Sequence, residues 1–320
     1  MSDHVSDEPA RGRQALRFRD NQAAYNVLRV IRSGRRCPRG LRGNSMTRMT
    51  LTPAALSVAL LVIACAGQPS QLVPVSAFPG GELVDLSHAY DEQTISWPTS
   101  ERFRLERVSD GVTPAGYYYA ANNLFTAEHG GTHVDAPIHF AAGRPTVDQI
   151  PLTRLFGRAV LVDVVDRSDQ SADYQVTTDD LLRWEGRHGQ IPADAIVLIR
   201  TGFSRRWPDA ARYLGTSQRG AEAVAKLHFP GLHPDLARWL VANRPIKAIG
   251  IDTASIDYGQ SKLYESHRVL FEHEIPAFEN LTALDRLPAV GAFIVALPMK
   301  IGGGSGGPLR AVGILPAADR

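Results

Sequence analysis

Cysteine is nearly absent from this chain of 320 residues, which has only Cys37 and Cys65 and none from residue 66 onward. The later part of the chain therefore excludes a disulfide framework, thiolate zinc ligands and a cysteine nucleophile. Lysine is missing from residues 1–48, although these hold eleven arginines against four acidic residues. Because this basic segment also lacks a recognition helix, the sequence argues against a nucleic-acid partner.

Apolar residues 51–64 form a run that is too short for the ~20 residues of a membrane-spanning helix. Basic residues precede the run, and the small residues around Cys65 follow it. That order is typical of a secretory signal peptide, and its small-residue end resembles a bacterial lipoprotein cleavage site. We therefore expect an exported bacterial protein, either periplasmic or tethered to the membrane by a lipid on Cys65.

This interpretation divides the amino-terminal region into three parts and leaves several alternatives open. The signal could be cleaved without lipidation, translation could start at Met46 or Met49, or the apolar run could be a buried helix with an incidental cysteine. The expected parts are a basic non-structural leader (1–48), a signal or lipoprotein segment (49–67) and a polar linker (68–79).

Residues 80–320 are expected to form one domain. The whole chain is 44% hydrophobic and 21% charged, as in ordinary globular proteins, so extensive disorder is excluded. Runs rich in β-branched residues alternate with helical stretches, which predicts an α/β domain with a mixed β-sheet core. The predicted strands cover residues 82–87, 117–126, 158–165, 195–199, 246–251, 292–297 and 309–315, and the predicted helices cover 178–187 and 234–243.

The glycine-rich patch at residues 302–308 lacks the lysine and hydroxyl residue of a phosphate-binding loop. It also precedes a predicted strand rather than a helix. We therefore expect a flexible connection between the last two strands.

Three of the ten histidines fall within eleven residues, at His129, His133 and His139, with Asp135 between them. Paired glycines after His129 make a helix improbable here, so an extended backbone would project His133 and Asp135 to the same side. Imidazole nitrogens and a carboxylate suit a divalent ion such as Zn²⁺ or Mn²⁺. His139 need not be a ligand, because near an activated water it could take and return a proton.

Residues 129–140, followed by Gly143 and residues 146–151, resemble the signature of the cyclase-like metal-dependent hydrolases. That family includes bacterial kynurenine formamidase and isatin hydrolase. The likeness extends from about Leu83 to Val312, almost the whole expected domain. It implies a swivelling β/β/α fold in a single domain and suggests a homodimer.

The resemblance also implies roles for individual residues. His129, His133 and Asp135 would bind a first metal ion, with Asp135 bridging to a second, and His139 would donate and accept the proton. The family has a further histidine and glutamate twelve residues apart, which His267 and Glu279 match. One or two ions, Zn²⁺ or Mn²⁺, are expected. Considered alone, the same pair would be a helix-surface histidine and a strand-end acid.

A tryptophan followed by proline precedes the first histidine in the family and lines the substrate pocket, and Trp97 stands at that place. Trp97 could stack on an aromatic amide, or it could simply be a core or rim aromatic. Thr132 before His133, the 146–151 segment and added loops such as 204–229 depart from the compact kynurenine formamidases.

The expected function is metal-dependent hydrolysis of a small aromatic amide. The first candidate is the arylformamidase reaction of tryptophan catabolism, in which N-formyl-kynurenine gives kynurenine and formate. There, metal-activated hydroxide would attack the amide carbonyl and His139 would protonate the leaving nitrogen. A cyclic amide such as isatin is the alternative substrate. A lipid-tethered metal- or ligand-binding protein without turnover is the alternative from another class.

Overall fold

The computed structural model describes residues 81–316. The predicted leader, signal segment, Cys65 and linker lie outside these residues and stay predictions. Among the residues described, no helix is both long enough and apolar enough to cross a membrane.

Twelve strands and seven helices make up the described part of the chain, apart from short 3₁₀ turns. The strands are β1 (Leu83–Asp85), β2 (Arg104–Val112), β3 (Tyr118–Phe125), β4 (His133–Asp135), β5 (Phe156–Asp163), β6 (Gln175–Val176), β7 (Ile196–Arg200), β8 (Gly231–Leu232), β9 (Ala248–Ile251), β10 (Ala277–Glu279), β11 (Val290–Pro298) and β12 (Gly306–Ile314). The helices are α1 (Leu152–Leu155), α2 (Val165–Gln170), α3 (Thr178–His188), α4 (Ala210–Leu214), α5 (Ala221–Val224), α6 (Pro234–Asn243) and α7 (Glu265–Glu272).

Eight of the strands form one mixed sheet, in the order β1-β12-β11-β5-β7-β9-β10-β4. The strands β5, β7, β9 and β10 run parallel, whereas the remaining pairs are antiparallel. Strand β4 also pairs with β12, so the sheet closes on itself like a barrel. This α/β single domain confirms the predicted fold class.

Both faces of the parallel strands are buried, which explains why these strands are nearly continuous apolar runs. In β5, Val160 and Val162 pack in a cluster with residues of helices α3, α6 and α7. The alternate residues Ala159 and Leu161 face a second cluster, together with residues of β4, β10, β11 and β12. The two-residue period of the strand thus divides its side chains between the helical layer and the inside of the sheet.

Strands β2 and β3 pair with each other in a separate two-stranded ribbon and with no strand of the main sheet. Its apolar side chains are largely exposed, with Leu105 and Leu124 directly opposite each other. The sequence predicted β3 but not β2. The charged residues of β2 leave it without the alternation of buried and exposed side chains that is typical of a strand.

The predicted strands and both predicted helices are present, with ends shifted by a few residues. Helix α7 and the short strands β4 and β10 were not predicted as elements. The expected flexible connection at residues 302–308 is wrong in its second half, because Gly306, Gly307 and Pro308 are part of β12 and pair with β4. Strand β4 therefore lies between β10 and β12, and Glu279 sits opposite His133.

Candidate active site

A tight turn brings His129 back towards the strand that carries His133. Gly131 in this turn has a φ of +61°, and a Cβ atom there would lie 2.6 Å from the ring of Tyr90. The Tyr90 hydroxyl lies 2.5 Å from the carbonyl oxygen of Gly130 and 2.7 Å from that of Thr132. Glycine is therefore required at position 131, as the bend predicted between the two histidines implies.

The six polar residues that the sequence singled out lie together. Asp135 is shared by two groups of closely spaced donor atoms, one formed with His129 and His139 and the other with His133 and Glu279. Nε2 of His267 lies 3.1 Å from Asp135 Oδ2 and 3.2 Å from Glu279 Oε1. His267 is 2% exposed, so it is a buried residue of α7 rather than a helix-surface histidine.

Hydrogen bonds fix the orientation of the three imidazoles nearest the carboxylates. Nδ1 of His133 donates to the Gly131 carbonyl oxygen at 2.9 Å. Nδ1 of His267 lies 2.6 Å from Oδ2 of Asp257, and this carboxylate also accepts the backbone N–H groups of Ser266 and His267. These contacts place a ring proton of His133 and of His267 on the outer nitrogen, so the inner nitrogen is the one that faces the carboxylates and could bind a cation after losing its own proton.

His129 follows the same pattern through Ser305. The Ser305 hydroxyl donates to Glu128 Oε2 at 2.6 Å, so it can accept a hydrogen bond from Nε2 of His129 at 2.9 Å. Nδ1 of His129 then faces Oδ1 of Asp135 at 2.6 Å. Two electron-pair donors this close require a proton or a cation between them.

The donor set therefore fits a divalent metal ion. The inner nitrogens of three histidines face the carboxylates of Asp135 and Glu279, and His133 Nε2 is buried without a hydrogen-bond partner. The cavity beside them is lined by neither lysine nor arginine. Imidazole nitrogens and carboxylate oxygens are the ligands that Zn²⁺ and Mn²⁺ accept.

The carboxylates and histidines of the cluster shift one another's pKa values. Burial alone would raise the pKa of the Asp135 carboxyl, but the neighbouring histidines, His129 above all, hold it well below its ordinary value. Burial alone would lower the pKa of His267, but hydrogen bonds to Asp135, Asp257 and Glu279 hold it well above its ordinary value. Burial and the charge of Asp135 raise the pKa of Glu279.

His139 lies beside this cluster, in the 3₁₀ turn Pro137–His139. Its ring stacks on that of His129, with centroids 3.8 Å apart. Burial lowers the pKa of His139 to about 4, so the ring is neutral near pH 7 and can accept a proton. This position fits the proton-transfer role predicted for His139. A ring nitrogen of His139 is also close enough to Asp135 for both residues to bind the same metal ion.

A cavity of about 220 Å³ opens beside the cluster and has an aromatic wall as well as the polar groups. Trp97, Phe140 and Tyr264 line this wall, so Trp97 lies where the sequence placed it. The Trp97 ring makes edge contacts with Tyr264 and with Phe229, each with centroids 6.4 Å apart. An aromatic substrate in this cavity can therefore contact both an aromatic ring and the polar cluster.

Sequence reasoning missed four residues of this site. Asp257, Ser305 and Tyr264 carry no spacing signal of their own, because they are distant in sequence from the histidine motif, and Phe140 was quoted within that motif without a role. The nearest signals were the position of Phe140 directly after His139 and of Ser305 within the glycine-rich patch.

The sequence of this chain matches a known protein family and several known relatives. A model of the cyclase family, described as "Putative cyclase", matches residues 84–258. The chain belongs to this cyclase family. An isatin hydrolase from Roseibium aggregatum is 33% identical over 63% of this chain and 78% of its own length. A kynurenine formamidase from Paracidovorax citrulli is 30% identical over 61% of this chain and 79% of its own length.

Solved structures of the cyclase family agree over the described domain. Isatin hydrolase A from Ralstonia solanacearum superposes with a TM-score of 0.67 at 31% identity, covering 84% of this chain and all of that one. Isatin hydrolase A from Labrenzia aggregata, bound to benzyl benzoate, gives the same TM-score at 32% identity, covering 82% of this chain and all of that one. The chain thus belongs to a family of cyclase-like metal-dependent hydrolases, in which relatives are named isatin hydrolase and kynurenine formamidase.

Proposed function

We propose that this cyclase-family protein hydrolyses a small aromatic amide, with a cyclic amide of the isatin type as first candidate and N-formyl-kynurenine as second. The sequence alone put these in the opposite order. The reversal is supported by the isatin hydrolase structures, which this chain covers completely at 31–32% identity. The observation that carries the proposal is one cavity lined both by aromatic rings and by the buried His and carboxylate cluster.

We propose His129, His133, Asp135, His267 and Glu279 as the residues that hold one or two divalent ions. An ion bound there would polarise the amide carbonyl and lower the pKa of a water molecule, so that hydroxide is available near neutral pH. The outward hydrogen bonds of the histidines would orient their inner nitrogens towards such an ion, which would replace the protons on them.

His139 carries the proton steps in this proposal. As a neutral imidazole it accepts a proton from the attacking water and then donates it to the departing amide nitrogen. Water adds to the carbonyl carbon and the C–N bond breaks, which gives a carboxylic acid and an amine. For a cyclic aromatic amide, the ring opens and both groups remain on one molecule.

The test is turnover of isatin and of N-formyl-kynurenine by the full chain, before and after chelation and after adding back Mn²⁺ or Zn²⁺. We expect turnover to vanish on chelation and to return with metal. His139→Ala should lower kcat by about 10²–10⁴-fold, the usual contribution of a general acid-base group. The exposed His188→Ala is the matched control and should leave kcat unchanged.

Turnover that survives complete chelation would contradict the proposal. Tight binding of both amides without turnover would instead favour the metal- or ligand-binding alternative. The homodimer and the lipid tether stay predictions, which sedimentation equilibrium and mass spectrometry of the mature protein would test.

A further inference from the structure

One exposed arginine, Arg219, forms hydrogen bonds with the loop that carries Trp97. Nη1 of Arg219 lies 3.3 Å from the carbonyl oxygen of Ser96 and 3.2 Å from its hydroxyl oxygen. Nη2 of the same side chain donates to the carbonyl oxygen of Ser100. One rigid guanidinium therefore bonds to the loop on both sides of the tryptophan.

Backbone hydrogen bonds also hold the Trp97 loop in place. The Gly220 N–H donates to the carbonyl oxygen of Pro98 at 2.9 Å. On its other side the loop is joined to the histidine motif, because the Gly131 N–H donates to the carbonyl oxygen of Ile95 at 2.9 Å. The Trp97 loop is thus held between the metal-facing motif and the segment around Arg219.

The Trp97 ring is itself held by the end of the same region. Phe229 contacts it edge-on and belongs to a buried cluster with Phe203, Tyr213 and Leu227. These residues come from the 204–229 loop region and the turn just before it, which the sequence identified as longer than in the compact kynurenine formamidases. The added region therefore supplies both the contact beneath the ring and the arginine that fixes its loop.

We propose that Arg219 is a positioning residue for substrate recognition, which acts by fixing the Trp97 ring over the metal-facing cluster. Arg219 is not among the residues that line the cavity beside the polar cluster. This proposal rests on the proposed function, since it names the residue that shapes the aromatic side of that cavity. The substrate class it favours is an amide whose ring reaches Trp97.

The test is a double-mutant cycle on turnover of isatin by the full chain. We expect Arg219→Ala to raise KM about fivefold, with kcat and metal content nearly unchanged, because the loop rather than the polar cluster is released. Trp97→Ala should raise KM at least as much, and Arg219→Ala should add nothing once Trp97 is gone. Arg219→Lys should restore part of the loss, and the exposed Arg238→Ala is the control.

Losses that multiply in the double variant would overturn the proposal, since Arg219 would then act independently of Trp97. A second readout needs no turnover. Acrylamide quenching, compared with and without Trp97→Phe, isolates the fluorescence of Trp97, which should become more quenchable in Arg219→Ala. Unchanged quenching would also overturn the proposal. If the wild-type chain cleaved neither amide, the proposed function would fail while this readout still decided the role of Arg219.

Discussion

The two sides of the cavity are held in different ways. On the polar side, His133, Asp135, His267 and Glu279 are almost fully buried, and hydrogen bonds from outside fix the three inner imidazoles. On the aromatic side, Trp97, Phe140 and Tyr264 are half-buried and are held mainly by ring contacts and loop hydrogen bonds. From this difference we expect that the polar side determines the chemistry, whereas the aromatic side determines which substrate binds.

Asp135→Asn should have the largest effect, because it changes the centre of the polar side. Asp135 belongs to both groups of donor atoms and faces all three inner nitrogens, so its loss should remove bound metal and reduce turnover to background. Metal content and turnover of the same preparation check the prediction. A variant that kept both would show that Asp135 does not bind the ion.

Asp257→Asn should have the next largest effect. Asp257 accepts the Nδ1 proton of His267 and orients that ring from outside the cluster. Loss of such an outer contact typically costs about 10–100-fold in metal affinity. Titration of chelated protein with Mn²⁺ or Zn²⁺ measures this.

A matched control exists at the surface. Asp173 pairs with His228 at 2.8 Å, where both side chains are partly exposed. Asp173→Asn should leave metal affinity unchanged. An equal loss in both variants would mean that the effect reflects general destabilisation rather than the orientation of His267.

Of the variants Asp135→Asn, Asp257→Asn and Trp97→Ala, the last should have the smallest effect, and it changes the aromatic side. Removing this ring should raise KM for aromatic amides about tenfold, in line with one lost aromatic contact of about 1.4 kcal/mol, while metal affinity stays unchanged. Steady-state kinetics with isatin and metal titration separate the two quantities. A loss of metal affinity would show that the two sides of the cavity are not independent.

The sequence predicted the residues of this site that lie close together along the chain, and it predicted fewer of those that the fold brings together. His129, His133 and Asp135 lie within seven residues, so local spacing was enough to group them. His267 and Glu279 needed the family pattern, because strand pairing and helix α7 bring them in from the far end of the chain. Asp257 and Ser305 could not be predicted, since their roles depend on hydrogen bonds that form only when the sheet closes.

The fold shows a similar limit. Long apolar strands such as β5, β7 and β9 were predictable because both of their faces are buried. Strand β4 has three residues and no apolar alternation of its own, yet its pairing with β10 and β12 closes the sheet. Closure of the sheet depends on pairing between residues that are far apart along the chain, and local periodicity carries no information on such pairing.

The most direct test of the central claim is the metal content of the purified full chain, measured together with turnover during titration of the chelated protein. We predict one or two divalent ions per chain, recovery of amide hydrolysis in step with metal binding, and loss of both in Asp135→Asn. Hydrolysis at full rate without metal, or unchanged metal content in Asp135→Asn, would contradict the account.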